Sequence, residues 1–281
     1  MFEQGLLEGK NIIITGGGTG LGRSMALKFA SLGAGIAILG RRKEPLEGTV
    51  QELKDSGADA VFSVCDIRKP DEIEAAFNSF QEHFGSLDTL VNNAAGNFIS
   101  QTEKLSTNAV DAVLNIVLHG TFYCTLDMGR RWIASGRKGT ILNIVTTYAW
   151  TGSGYVVPSA AAKAGVLALT RSLAAEWGKY GIRQVAIAPG PFETRGAWDR
   201  LAPTEDIAKV MAANVPLGRT GTHEELANLA TYLISDYAGY INGEVVAIDG
   251  GEWVNGAGQF NRLSMLSDSD WEKIRSLRKR K

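Results

Sequence analysis

Short apolar runs rich in β-branched residues recur along the chain at 11–15, 35–40, 60–66, 87–92, 140–145, 183–188 and 244–248. Most are continuously apolar rather than alternating, the pattern of strands buried on both faces. Helical stretches lie between them, over about 21–32, 45–56, 71–84, 108–135, 159–180 and 222–236. Pro70-Asp71-Glu72 puts proline and acids at a helix start, and Thr222 with Glu225 has capping-box spacing. Strand and helix alternate throughout, which predicts a single-domain α/β chain of Rossmann type: a doubly wound parallel sheet in a three-layer α/β/α sandwich. No linker, low-complexity tract or repeat divides residues 1–281. The irregular stretch 190–203, which follows a strand and mixes Gly, Pro, Thr and Trp, marks a candidate substrate lid over 190–215, and 252–281 reads as a C-terminal extension.

Composition narrows the function. Of 281 residues, 44% are hydrophobic and 21% charged, as in an ordinary globular chain, and a net charge of −1 gives no reason to expect a nucleic-acid partner. The apolar runs are shorter than the ~18 to 20 residues that span a bilayer. Cys65 and Cys124, one in an apparent strand and one in an apparent helix, read as reduced core thiols. With the scattered His83, His119 and His223 they assemble no zinc spacing, so no metal is expected. The first ten residues look like neither a signal nor a transit peptide, and the basic end is no peroxisomal address, so cytoplasmic residence is the expectation.

The chemistry begins after the first run. Thr15, Gly16, Gly17, Gly18, Thr19, Gly20, Leu21 and Gly22 lead from a strand into a helix. Glycines there let the backbone approach a pyrophosphate, while the helix N-terminus offers unpaired N–H groups and a positive dipole end. The second run ends in Arg41-Arg42-Lys43, where an NAD-binding protein tends to place an acid for the ribose 2′-hydroxyl. Cations at that position favour the 2′-phosphate of NADPH, with Arg41 best placed and Arg42 beside it. Asp66, ending the third run, suits the adenine amino group or a turn.

These residues, with Asn92-Asn93-Ala94-Ala95-Gly96, Ala162-Lys163-Ala164 and Pro189-Gly190, resemble the short-chain dehydrogenase/reductase superfamily over nearly the whole chain. The superfamily's usual Tyr-x-x-x-Lys with a preceding Ser is altered. Lys163 is present, but Ser159 stands four residues earlier, Thr146 holds the Ser position, and the usual helical Asn falls near Val117. Within the superfamily the chain is similar to the mitochondrial-type 2,4-dienoyl-CoA reductases, through Asn93-Ala-Ala-Gly-Asn97-Phe98-Ile99-Ser100, Thr147-Tyr148-Ala149-x-Thr151-Gly152-Ser153-Gly154, Val156-Val157-Pro158-Ser159 and Asp249-Gly250-Gly251-Glu252. The resemblance implies an active site of Tyr148, Lys163, Asn97 and Ser159 and reduction of a 2,4-dienoyl-CoA by NADPH to a 3-enoyl-CoA. It further implies cofactor contacts from Lys163, Ile67, Asn93, Ala94, Pro189, Gly190, Pro191, Phe192 and Thr194, substrate contacts from Tyr148, Phe98 and Ser106, and a homotetramer, while Arg68 and Arg200 are candidate cations for the CoA phosphates.

A displaced tyrosine has a chemical rationale. In a ketone, the oxygen that takes a proton is one bond from the carbon that takes hydride. In a dienoyl thioester reduced at C5, the oxygen that gathers charge is five bonds away, so a phenol at the usual place is badly set. Moving it to position 148 and leaving small Ser159 behind makes room for the chain. Tyr155, eight residues before Lys163, is the rival donor and suits an enoyl or carbonyl substrate. A half-buried packing role for Tyr148, an N-cap role for Ser159, an Asx turn at Asn97 and a non-catalytic NADP-binding protein stay open on sequence alone.

Overall fold

The computed structural model describes residues 2–194 and 204–278. Among these, seven strands form one parallel sheet: β1 (Asn11–Thr15), β2 (Gly35–Gly40), β3 (Ala60–Val64), β4 (Thr89–Asn92), β5 (Gly139–Ile144), β6 (Ile182–Pro189) and β7 (Val245–Ile248). The order across the sheet is β3-β2-β1-β4-β5-β6-β7. The helices are α1 (Gly20–Ala30), α2 (Lys43–Asp55), α3 (Pro70–Phe84), α4 (Thr107–Leu114), α5 (Gly120–Ser135), α6 (Tyr148–Thr151), α7 (Val157–Trp177), α8 (Glu205–Ala213), α9 (His223–Ile234), α10 (Glu252–Ala257) and α11 (Asp268–Arg278).

The strands are mostly apolar because both faces are covered. Ile12 and Ile14 of β1 pack with Met25 and Phe29 of α1, Leu46 and Val50 of α2, and Leu226 and Leu233 of α9. Ile13, between them, faces Phe77 of α3, Met128 and Trp132 of α5, and Leu173 of α7. β1 pairs with β2 on one side (Ile13 with Ala37) and β4 on the other (Ile13 with Leu90). The chain winding reverses there, which opens a crevice at the carboxyl ends of β1 and β4, the place where such sheets bind ligands.

Strand and helix positions follow the hydrophobic pattern to within a few residues, with informative differences. The third strand stops at Val64, so Cys65 and Asp66 lie just beyond it. Cys65 and Cys124 share one core cluster, and burial pushes the Cys65 thiol up to about 12 and the Cys124 thiol well up too, so both stay protonated. The stretch expected as one helix over 108–135 is interrupted by a π-helical turn, Asn115–His119, in which the His119 ring bonds the Asn115 side chain at 2.7 Å. The whole stretch, Thr107–Ser135, is long and apolar enough to cross a membrane by length and composition alone. Here it lies against the sheet, with Cys124, Met128 and Trp132 buried in the core. The short helix α6 and the mostly exposed α8, α10 and α11 lie outside the pattern read from sequence. Of the candidate lid, 195–203 with Arg200 falls outside the described residues, while α8, capped by the Thr204 hydroxyl on the Ile207 N–H, occupies much of the remainder.

Candidate active site

The turn after β1 is braced from β4. The Thr15 hydroxyl accepts from the N–H groups of Asn93 (3.0 Å) and Ala94 (2.9 Å), and the Asn93 amide donates to the carbonyls of Thr15 (3.0 Å) and Gly16 (3.3 Å). Gly16 has φ +67°, and a Cβ on Gly22 would lie 2.4 Å from the Gly16 carbonyl oxygen, so the turn closes on itself only with glycines. No side chain caps α1, whose N-cap is Thr19, which leaves its first N–H groups for an anion. A braced glycine cradle with an uncapped helix end fits a dinucleotide pyrophosphate.

At the other end of the crevice, Arg41 follows β2 and Arg42 is the N-cap of α2. The Asp66 carboxylate accepts a fork from Arg68, from Nε at 2.9 Å to each oxygen and from a terminal nitrogen at 2.5 Å. That hydrogen bonding, with Arg41 nearby, holds the Asp66 carboxyl below its usual range. The structure thus gathers Asp66, Arg68 and Arg41 into one charged group and ties Arg68, expected as a substrate contact, to Asp66. Ile67 is buried, and a Cβ on Gly120 of α5 would lie 2.6 Å from its side chain.

Three of the four expected catalytic side chains converge. Tyr148 opens α6, and its phenolic oxygen accepts from the Asn97 amide at 3.3 Å and shares a 3.1 Å hydrogen bond with the Ser159 hydroxyl. Asn97 is aimed by its own turn, its Oδ1 accepting from the Phe98 N–H at 2.9 Å. Ser159 is buried inside α7, whose N-cap is Val156, so the N-cap alternative for Ser159 is replaced by a bond to the phenol. Lys163 lies one turn further along α7, also buried, and its Nζ donates to the Ile144 carbonyl at the end of β5. With no carboxylate partner among the described residues, burial lowers the Lys163 ammonium to about 8. Below it, a buried polar thread sets α7 against the sheet: Asn92 to Asn143 (2.9 Å) and Asn143 to the Thr170 hydroxyl (2.9 Å).

The remaining candidates separate. Phe98 packs on Val113, Val117 and Ala162 beside this cluster. Ser106 caps α4 by accepting from Ala109, a structural role. Tyr155 sits in the left-handed region (φ +64°) with its ring 65% exposed, and its carbonyl accepts from Ser100. On the far side, the Gly190 N–H donates to Ile248 and Pro191 accepts from Gly221, so the segment Pro189, Gly190, Pro191, Phe192 is held between the end of β7 and Gly221. Thr194 ends it, its side chain 3.5 Å from where a Cβ on Gly20 would lie. Sequence reasoning missed Trp150 and Trp253, which stack at 4.8 Å, and Glu252, near Gly190, whose carboxyl is raised by burial and by Asp249. No local pattern signals such long-range neighbours.

A glycine cradle at a Rossmann switch point, facing a tyrosine with a buried lysine, defines a nucleotide-dependent oxidoreductase. The family described as enoyl-(acyl carrier protein) reductase matches residues 16–252, and the chain belongs to the short-chain dehydrogenase/reductase superfamily, in its 2,4-dienoyl-CoA reductase subgroup. It is 48% identical over 250 residues to a probable 2,4-dienoyl-CoA reductase, (2E)-enoyl-CoA-producing, of Bacillus subtilis (strain 168), covering 89% of this chain and 98% of the relative. It is 44% identical over 272 residues to probable 2,4-dienoyl-CoA reductase 3, (3E)-enoyl-CoA-producing, of Caenorhabditis elegans, covering 95% and 86%. Among solved structures, a short chain dehydrogenase from Bacillus anthracis superposes with TM-score 0.80 at 49% identity, covering 87% of this chain and 96% of that one. A putative 2-deoxy-D-gluconate 3-dehydrogenase from Agrobacterium tumefaciens with bound NADP superposes with TM-score 0.82 at 32% identity, covering 90% and 100%.

Proposed function

We propose that this chain is an NADPH-dependent 2,4-dienoyl-CoA reductase, serving the auxiliary step that lets β-oxidation pass a conjugated diene. The observation that carries the reading is the Tyr148 hydroxyl held between Asn97 and Ser159, with no tyrosine four residues before Lys163. The names of the relatives support the substrate class, and the cations Arg41 and Arg42 after β2 support the phosphorylated nicotinamide cofactor.

The cofactor's part is the hydride, which goes to C5 of the acyl chain; the protein manages the charge. As the electrons move through C4, C3 and C2, the thioester oxygen becomes a dienolate oxygen, and Tyr148 O–H and the Asn97 amide donate to it. Ser159 orients the phenol, and Lys163 adds a buried positive charge near the crevice. Protonation at C2 by Tyr148, or by a water that it orients, leaves the C3–C4 double bond and gives a 3-enoyl-CoA. Protonation at C4 leaves the C2–C3 double bond; the name of the Bacillus subtilis relative favours this second outcome, so both are carried.

The test is loss of NADPH absorbance with a medium-chain trans-2,trans-4-dienoyl-CoA, beside a trans-2-enoyl-CoA and a simple ketone, with product geometry read by NMR. Turnover confined to the dienoyl thioester is expected. Turnover of the enoyl or ketone substrate alone moves the donor role to Tyr155, and silence with all three leaves a nucleotide-binding protein without this chemistry. A homotetramer belongs to the same proposal, and light scattering on the purified protein checks it.

A further inference from the structure

His223, the first residue of α9, touches two distant parts of the cofactor crevice at once. Its Nδ1 lies 2.8 Å from the Ser24 hydroxyl of α1, and its Nε2 lies 2.8 Å from the Glu193 carbonyl oxygen, one residue before Thr194. The start of α9 is a firm base for that ring. Thr222 and Glu225 form a reciprocal capping box, and Arg219 grips the same Glu225 carboxylate at 2.6 and 2.9 Å.

The donors and acceptors fix how the contacts run. A carbonyl only accepts, so Nε2 carries the hydrogen given to Glu193. Ser24 has one hydroxyl hydrogen and two acceptors in reach, Nδ1 at 2.8 Å and the Gly20 carbonyl at 3.1 Å. That hydrogen serves one acceptor at a time; given to the nearer, Nδ1, it makes a chain from the Ser24 hydroxyl through His223 to the Glu193 carbonyl. Ser24 stands on α1 just after the phosphate turn, and the Thr194 side chain lies near Gly20, which closes that turn.

Among the described residues, the segment's other hydrogen bonds do not reach α1, which it otherwise meets only by packing, through Phe192 and through Thr194 at Gly20. Gly221 donates to Pro191 at 3.0 Å, the Phe192 ring fills the space over Gly221, and the Thr220 hydroxyl donates to a Glu193 carboxylate oxygen at 3.3 Å. They hold the segment on 220–221 whether or not the imidazole is there. Among these hydrogen bonds, those of the imidazole are the ones that tie the segment to α1.

We propose that His223 is a positioning residue for the dinucleotide: through Ser24 and Glu193 it fixes the spacing between the phosphate turn and the segment that ends in Thr194. The inference rests on the reading that the glycine turn holds a nicotinamide dinucleotide. Nothing in it depends on the acyl substrate.

The test is NADPH binding to the full-length protein, followed by nucleotide fluorescence, for His223→Leu, His223→Gln, Ser24→Ala and the Leu/Ala double variant. His223→Leu fills the space without a donor and is expected to weaken NADPH binding about tenfold and raise its KM to match, with kcat at saturation within about threefold. His223→Gln, whose amide can donate to Glu193, recovers most of the affinity. Ser24→Ala weakens binding less, and the double variant is no worse than His223→Leu, because the two act as one chain. Hydrogen exchange at the Gly221 amide in cofactor-free protein stays slow in every variant. Wild-type affinity in His223→Leu overturns the inference, and so does a loss of kcat and melting temperature that Gln does not restore, since that is a structural role. A wild-type protein that binds neither NADPH nor NADH overturns the nucleotide reading itself and this role with it, a result distinct from either of the others.

Discussion

The Asn97 amide donates to the phenolic oxygen of Tyr148 at 3.3 Å, and the Ser159 hydroxyl meets that oxygen from α7 at 3.1 Å. A phenol so held presents its hydrogen in one direction. Tyr148→Phe is expected to lower kcat by about a hundred- to ten-thousandfold while leaving NADPH affinity within about twofold. Asn97→Ala removes one of two donors to the developing oxyanion and costs about a hundredfold. Stopped-flow turnover with a dienoyl-CoA, beside a nucleotide titration, checks both; intact turnover in Tyr148→Phe ends the assignment.

In the proposed reading, cofactor choice falls to Arg41. The Arg68 guanidinium is spent on both oxygens of Asp66, while Arg41 stands at the end of β2, where the adenosine ribose is expected. Arg41→Ala should raise the KM for NADPH by about ten- to a hundredfold and leave that for NADH within about threefold, because only the first carries the 2′-phosphate. Equal effects on both nucleotides would mean that Arg41 does not read the 2′-phosphate.

What was legible in the sequence follows from how local its cause is. The edges of β1 and β2 agree with the apolar runs to the residue, because the central positions of each are buried on both faces and apolar. Tyr148, Asn97 and Ser159 were found through the motifs around them, and their meeting at one oxygen was not readable from spacing. The π turn at Asn115–His119 was invisible because apolar residues continue through it. Helices α8 and α11 bury little, so neither left a strong apolar stripe. The contacts of His223 with Ser24 and of Trp150 with Trp253 join residues more than a hundred apart, with no repeat or motif to announce them.

The Trp150 and Trp253 rings, 4.8 Å apart and tilted by 32°, brace the four-residue helix that begins with Tyr148 against α10. So short a helix has few contacts of its own with which to hold the phenol. Trp253→Ala is expected to lower kcat by about three- to tenfold, since a small displacement of a donor is costly, and to remove the near-ultraviolet circular-dichroism signature of the coupled indoles. Trp253→Phe keeps an aromatic brace and most of the rate. A lost signature with an unchanged kcat would show that α6 stands without the stack.

Lys163 costs the fold what it gives the site. Its ammonium is buried with the Ile144 carbonyl as its hydrogen-bond acceptor, and its pKa falls to about 8 from an ordinary 10.5. Below pH 8 both folded and unfolded chains carry the proton, and the folded chain bears the full desolvation cost. Between pH 8 and 10.5 the folded lysine has released its proton while the unfolded one keeps it, so stability rises with pH across that window. Lys163→Met, similar in volume and uncharged, should therefore stabilise the cofactor-free protein by roughly 1–3 kcal/mol at pH 7, less whatever the unpaired Ile144 carbonyl loses. That advantage should fade between pH 8 and 10.5, and turnover should fall by about a hundredfold or more. Urea unfolding at pH 7 and pH 10 reads the difference. A Met variant less stable than wild type at both values would show that the Ile144 hydrogen bond outweighs the buried charge.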